Sequence, residues 1–367
     1  MPFLVFFAMC AMAAESLAQG DWTTFTTVDG LPDNYISSIA IAAEGTVWAG
    51  TTYKRVSRFD GERWETYTAP GDTAFTINSL VIAPNGNVWM AGTQTYSIDG
   101  KYINYYSGVC RFDGKDWIIY TVSQGLPSND VRSLSIGRNG EIWATTGKGV
   151  ACFKNDTWSS VHDNGNPVIA RPMTIAPDGT VWFGSQDTPH NDDRIFRYKD
   201  SSWSNFLLDE IDGDIKKGYT LQTMITDSGG VLWFGTYENL FTFDSAKMKD
   251  MEALPIMAIP GDRTRPYISS LALGPDNSIW CGINYNDWDG YDVGGLYQYN
   301  GSAWKRYSNK NGLVSKMVFA LAVAPDGTVW AGTYKGLSRF NPTVMAVEEK
   351  NAVPLEIAIR GNYPNPF

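Results

Sequence analysis

The residues with the most evident capacity to recognise a ligand lie in a few short segments. Segment 93–108 (TQTYSIDGKYINYYSG) carries Tyr96, Tyr102, Tyr105 and Tyr106, and segment 284–295 (NYNDWDGYDVGG) carries Tyr285, Trp288 and Tyr291 beside Asp287, Asp289 and Asp292. Flat rings next to carboxylates suit a sugar, because a ring stacks on the apolar pyranose face while acids accept hydroxyl protons. The alternative is that these rings pack their own segments against the body of the protein. Asp287, Asp289 and Asp292 also form an Asp-x-Asp-Gly run of the kind that feeds hard oxygen ligands to Ca2+, although no Glu follows at EF-hand spacing. A solvated acidic loop is the competing reading, and no other cofactor is expected. In segment 260–266 (PGDRTRP), Arg263 and Arg265 offer guanidinium forks that match a carboxylate.

The chain has two histidines, His162 and His190. His190 lies beside Asp192 and Asp193, which is the composition of a general base, but no flanking motif supports it. The GxSxG, HExxH, Walker and GxGxxG patterns are missing in a context that gives them meaning. No catalytic residue is therefore assigned.

Charge narrows the partners. Lys and Arg number 29 against 39 Asp and Glu, a formal net charge of -10. Nucleic acid and anionic membrane surfaces require a basic face and are excluded on that ground. Residues 2–14 are almost wholly apolar and too short to span a bilayer, so 1–18 reads as a signal peptide with small residues at Ser16 and Ala18. No membrane insertion is expected after its removal. Cys110, Cys152 and Cys281 would then remain, an odd count without metal spacing, and they read as buried small hydrophobes. Cys110 and Cys152 sit one residue out of phase in equivalent segments (GVCRF, GVACF) and should face opposite sides of their sheets.

The element that must position all these groups is an internal repeat. A pattern of the form APDGTVWAGT recurs around Trp48, Trp89, Trp143, Trp182, Trp233, Trp280 and Trp330, at spacings of 39 to 54 residues. Periods of this length built from short strands are those of propeller blades. In the first unit, 36–42, 46–51, 56–59 and 63–68 read as four strands joined by Glu-Gly and Asp-Gly turns. A second tryptophan marks the fourth strand at Trp64, Trp117, Trp158, Trp203 and Trp304. The fifth unit lacks it, and 251–259 stand in its place. The seventh unit stops after its third strand, at 336–340, while 21–27 (DWTTFTT) supply a strand with Trp22 where the repeat wants one. The expected fold is all-β: a seven-bladed β-propeller, its last blade closed by the N-terminal strand, over 19–341. Strand alternation puts the links from second to third strands and from blade to blade on one face. All the long segments named above fall there, on the face where binding residues of a rigid ring usually sit.

The spacing GLPDNYISSIAIAAEGTVWAGT (30–51), repeated at 125–146 and 312–333, resembles the two-component regulator propeller family. That resemblance implies propellers serving as extracytoplasmic sensors or as secreted proteins. The end of the chain, VEEKNAVPLEIAIRGNYPNPF (347–367), resembles the linker and opening motif of C-terminal sorting domains of type IX secretion, and 342–367 is read as a linker with the start of a truncated one. The functional expectation is an exported, secreted or cell-surface monomer that binds a glycan or an extracellular protein without catalysis. A secreted lyase or hydrolase acting on polysaccharide at the loop-rich face, and a surface adhesion module, are the alternatives.

Overall fold

A computed structural model describes residues 21–71, 75–98, 101–185, 194–208, 221–237, 239–244, 248–251, 266–285 and 293–342. Seven antiparallel sheets follow one another along the chain. Six have four strands. The third has five, because Asn166–Pro167 folds back on Thr157–Asp163. The first strands of successive sheets (Ser38–Ile41, Thr76–Ile82, Val131–Ile136, Ala170–Ile175, Thr223–Thr226, Tyr267–Leu273 and Val318–Val323) each contact the next, and the last contacts the first. The ring is closed, with seven blades.

The N-terminal strand closes it. Asp21–Phe25 pairs antiparallel with Gly336–Asn341, with Trp22 opposite Phe340 and Thr24 opposite Ser338. The strand is two residues shorter than the sequence suggests. Thr26 instead caps a single helical turn, Thr27–Asp29: its side chain accepts from the Val28 amide, and Asp29 accepts from the Thr26 amide. In the first blade the first, second and fourth strands are likewise trimmed, to Ser38–Ile41, Val47–Gly50 and Trp64–Thr68, while the third gains a residue, Arg55–Phe59. In the fifth blade the fourth strand is Met248–Asp250, ahead of the expected 251–259, of which only Met251 lies among the described residues.

Each repeat tryptophan of the second strands packs against the following blade. Trp48 lies with Ile77, Leu80 and Met90 of blade two, and Trp233 with Ile268 and Leu271 of blade six. In five blades a glycine two residues beyond the tryptophan admits the next inner strand. A Cβ on Gly235 would stand 2.6 Å from the Ile268 side chain, which is itself walled in by its blade. Gly235→Ala should therefore cost about 2 kcal/mol, read as a lower urea midpoint with an unchanged slope.

The turns from first to second strand need a left-handed residue. Six blades use glycine there, and the sixth uses Asn277 at φ 63°. Asn tolerates that region better than other L-residues, which is why the Asp-Asn of blade six keeps the turn.

The cysteines behave as small core residues. Cys110 packs toward blade one with Trp48, whereas Cys152 packs toward blade four with Trp143, so the two do face opposite sides. All three are free thiols, and burial raises each: Cys110 to about 12, Cys152 to about 11, and Cys281 further still. A maleimide at about pH 8 should label none of them in the folded propeller within minutes and all three after unfolding. Fast native labelling would contradict this packing.

Candidate functional site

The inner strands carry a device that the repeat pattern does not advertise. Two apolar residues of each strand pack on the preceding blade, and they are three apart: Ile36 and Ile39, Ile77 and Leu80, Val131 and Leu134, Ile268 and Leu271. Strict alternation would put them on opposite faces. A β-bulge between them resolves the conflict, and the register shifts at that place in blades two, three, four, six and seven. In blades one and five, Ser37 and Gln222 donate their amides to Gly50 and Gly235, the glycines that also pair with the next residue. Each bulge frees one residue on the inner edge of its sheet, beside the axis.

The freed residues are Ser37, Asn78, Arg132, Arg171, Gln222, Ser269 and Phe319 in blades one to seven. Ser37 and Ser269 use their hydroxyls to bridge to the next blade, bonding Ile77 O at 2.6 Å and Val318 O. At the same position blades two to five carry Asn78, which donates to Thr93 Oγ1 at 2.8 Å, Arg132, Arg171 and Gln222. Arg132 donates Nε to Asp130 at 3.3 Å, while its Nη1 is buried without a hydrogen-bond partner.

Blades five to one contribute rings. Tyr35 meets Phe319 edge-on at 4.9 Å and Tyr334 at 6.0 Å, and Tyr237 lies 5.7 Å from Tyr267. Burial pushes the Tyr35 phenol above its usual range, and Tyr267 adds to the shift. Asp33, whose carboxylate accepts from Thr52 Oγ1 and from the Tyr35 amide, holds this corner in place.

Tyr53, Tyr106, Tyr237 and Tyr334 are exposed; Tyr53, Tyr237 and Tyr334 lie on connections from second to third strands, and Tyr106 in the third strand of blade two. Tyr53 is the most telling. It forms a turn with Lys54, closed by Arg55 N to Thr52 O, in which both residues have positive φ, 56° and 52°. Such a turn prefers Asn-Gly, so an aromatic residue held there and 60% exposed carries a local cost. Replacing Tyr53→Asn together with Lys54→Gly should raise the melting temperature by about 2 °C, for roughly 1 kcal/mol of relieved strain, while weakening ligand capture.

Several expected site residues are placed differently from the sequence reading. Segment 93–108 is no loop: Val88–Ile98 and Lys101–Phe112 extend as one long hairpin, with Tyr102 opposite Ser97, Tyr105 opposite Gln94 and Tyr106 opposite Thr93. Its threonines, isoleucines and tyrosines favour the extended strands. Tyr285 is only 1% exposed, so it holds structure together and offers no free stacking face. His190, Arg263, Arg265, Trp288, Tyr291 and the acidic run Asp287, Asp289 and Asp292 lie outside the described residues. Among the described residues no cluster of three metal-ligating side chains occurs, and no helix is long and apolar enough to cross a membrane. The axial ring of bulged residues escaped the sequence reading, although the apolar-x-x-apolar spacing in every inner strand was its visible signal.

Residues 30–53 match the two component regulator propeller repeat. Solved structures similar to this propeller include the extracellular domain of a hybrid two component system from B. thetaiotaomicron (16% identity, TM-score 0.65, covering 88% of this chain and 40% of that one). PorZ, a surface component of the type-IX secretion system of Porphyromonas gingivalis, is similar at 15% identity and TM-score 0.64, over 85% of this chain and 47% of that one. Virginiamycin B lyase from Staphylococcus aureus is similar at 14% identity and TM-score 0.61, over 87% and 97%. At these identities the likeness shows the fold alone. The propeller spans less than half the length of the first and second of these proteins. A search of curated protein sequences gave no match.

The opposite face of the propeller holds a cleft of about 560 Å³ between blades seven and one. Part of its polar lining is already engaged. Asp60 accepts from the Glu62 and Arg63 amides and Asp326 from Thr328, while Arg339 bonds Thr23 and lies over Phe25 and Trp330. These groups stitch turns and seam, so the axial mouth is the better candidate.

Proposed function

We propose that this propeller is an exported, non-enzymatic binding module that recognises an extracellular glycan or protein on its loop-rich face. One observation carries the reading: the exposed Tyr53, Tyr237 and Tyr334 lie on connections of that face, where Tyr334 and Phe319 pack with Tyr35. Amphipathic rings on a rigid frame bind with little ordering cost, since the frame pays none. The extracellular and surface settings of the similar proteins support export, as does the resemblance of 347–367 to a sorting motif that includes Asn362, Tyr363 and Pro364.

The test pairs a glycan array with calorimetry and a turnover assay on polysaccharides. Saturable binding without product, weakened by Tyr334→Ala or by shortening the hairpin around residues 98–101, is the expected result. Product formation that disappears in His190→Ala would replace this reading with the lyase or hydrolase. Fractionating cells that express the chain with and without 342–367 tests the export motif, which predicts loss of surface display on truncation.

A further inference from the structure

We propose that the cleft between blades seven and one, on the face opposite the long connections, binds an amino sugar, its ammonium group toward the carboxylates of the rim and its hydroxyls toward Thr328 and Arg339. This site is separate from the loop-rich face and stands independently of the binding reading above.

The cleft has the size of a small-ligand pocket and opens where two turns stand apart. In blades three and seven the turn between first and second strands closes on a proline of the preceding blade: a Cβ on Gly140 would lie 3.6 Å from Pro84, and one on Gly327 4.0 Å from Pro275. In blade one the equivalent Gly45 would meet nothing within 4 Å, and Pro325 of blade seven lines open space instead.

Thr328 is the residue that points to a ligand. It is only 7% exposed. Val329 packs toward blade six with Ala272 and Trp280, whereas Trp330 packs toward blade one with Leu31 and Phe59. By strand alternation Thr328 shares the side of Trp330 and aims into the cleft that both line. Its amide is donated to Asp326, but its hydroxyl has no hydrogen-bond partner among the described residues. A buried hydroxyl left unpaired is unfavourable, and an oxygen of a ligand relieves that.

The charges of the lining select the ligand. Glu44 is exposed on the rim and makes no hydrogen bond or ion pair among the described residues. Asp326 uses only Oδ1, on the Thr328 amide. The Arg63 and Glu62 amides hold Asp60 below the usual carboxylate range, so it stays ionised. Against these three carboxylates the lining sets one cation, Arg339, which spends Nη2 on Thr23 and keeps the rest of its fork free. The excess of negative charge disfavours an anion and favours a cation. Among the described residues no three metal-ligating side chains come together, so the charge is spread along the rim and suits an organic cation. A polyamine would meet the carboxylates but offers no acceptor to Thr328 or to the Arg339 N–H groups, and a neutral sugar offers acceptors without the charge. An amino sugar carries both.

Titration calorimetry on the full chain at about pH 6, where a sugar amine is protonated, tests this with four probes: the glucosamine disaccharide, its N,N′-diacetyl form, spermidine and trilysine. The amine disaccharide should bind at least about tenfold more tightly than the diacetyl form, and more weakly as salt rises. Glu44→Gln, on an exposed turn that it leaves intact, should erase most of that difference without changing the affinity of the diacetyl form. Thr328→Val should weaken both disaccharides. Tyr334→Ala, on the other face, should change neither. Equal binding of the two disaccharides, spermidine or trilysine binding as tightly as the amine disaccharide, or no binding by any probe would overturn the assignment. Binding that survives Glu44→Gln and is lost in Tyr334→Ala would place the sugar on the loop-rich face, overturning this site and leaving the binding module standing.

Discussion

Removing residues 21–25 should lower the melting temperature by about 10 °C or more and make the protein associate in a concentration-dependent way. The reasons are separable. Trp22 packs on Phe340 at 4.7 Å and on Tyr307 at 5.8 Å, while Phe25 stacks on Trp330 at 5.7 Å and touches Phe59 and Trp64 of blade one. Loss of one such ring costs about 3–5 kcal/mol when the cavity does not collapse. The strand also covers the outer edge of Gly336–Asn341, and an uncovered edge pairs with other chains. Because residues 21 and 341 are partners, the same deletion unties the first blade from the last. Differential scanning fluorimetry and light scattering on the shortened chain check both effects. A synthetic peptide of residues 19–29 should restore part of the loss. A melting temperature equal to that of the parent would mean that the seam is held by something other than this strand.

The second large effect is expected at Trp280. It is 2% exposed, stacks on Tyr307 at 5.7 Å, reaches Phe340 at 6.1 Å and donates its indole N–H to Ser278 Oγ at 3.0 Å. It thus fills the space between blades six and seven next to the closing strand. Trp280→Ala should cost about 3–5 kcal/mol by equilibrium denaturation, since neighbouring backbones are fixed by their sheets and cannot close the void. Trp280→Phe should recover more than half of that. Its effect and that of Trp22→Ala should be less than additive, because both release Phe340. Strict additivity would show that the two rings do not share a cluster.

Much of this architecture was legible along the chain because repetition makes local chemistry informative. A tryptophan, a small residue two or three places on and a tight turn before it recur seven times, and each recurrence reports the same packing site between blades. Trp22 could be matched to Phe340 across more than 300 residues for the same reason: the last unit lacks a strand that the first residues supply. Face assignment followed from strand parity. Where repetition failed, so did the reading. The fourth strand of blade five has no tryptophan, and its place was misjudged by three residues. Segment 93–108 looked like a loop because it is long, yet its pairing with itself extends the blade-two hairpin.

The amino-acid order alone settled the number of blades, the closing strand, the polarity of the two faces and the inward fate of the cysteines, because these depend on period, turn residues and alternation, all of which are properties of neighbours in the chain. Which side chains meet at the axis was a different matter. Tyr35, Phe319 and Tyr334 come from opposite ends of the chain, and their rings meet only where the first and last blades adjoin. A bulge reverses the parity by which facing is read from sequence, so their convergence exists only once the ring has closed.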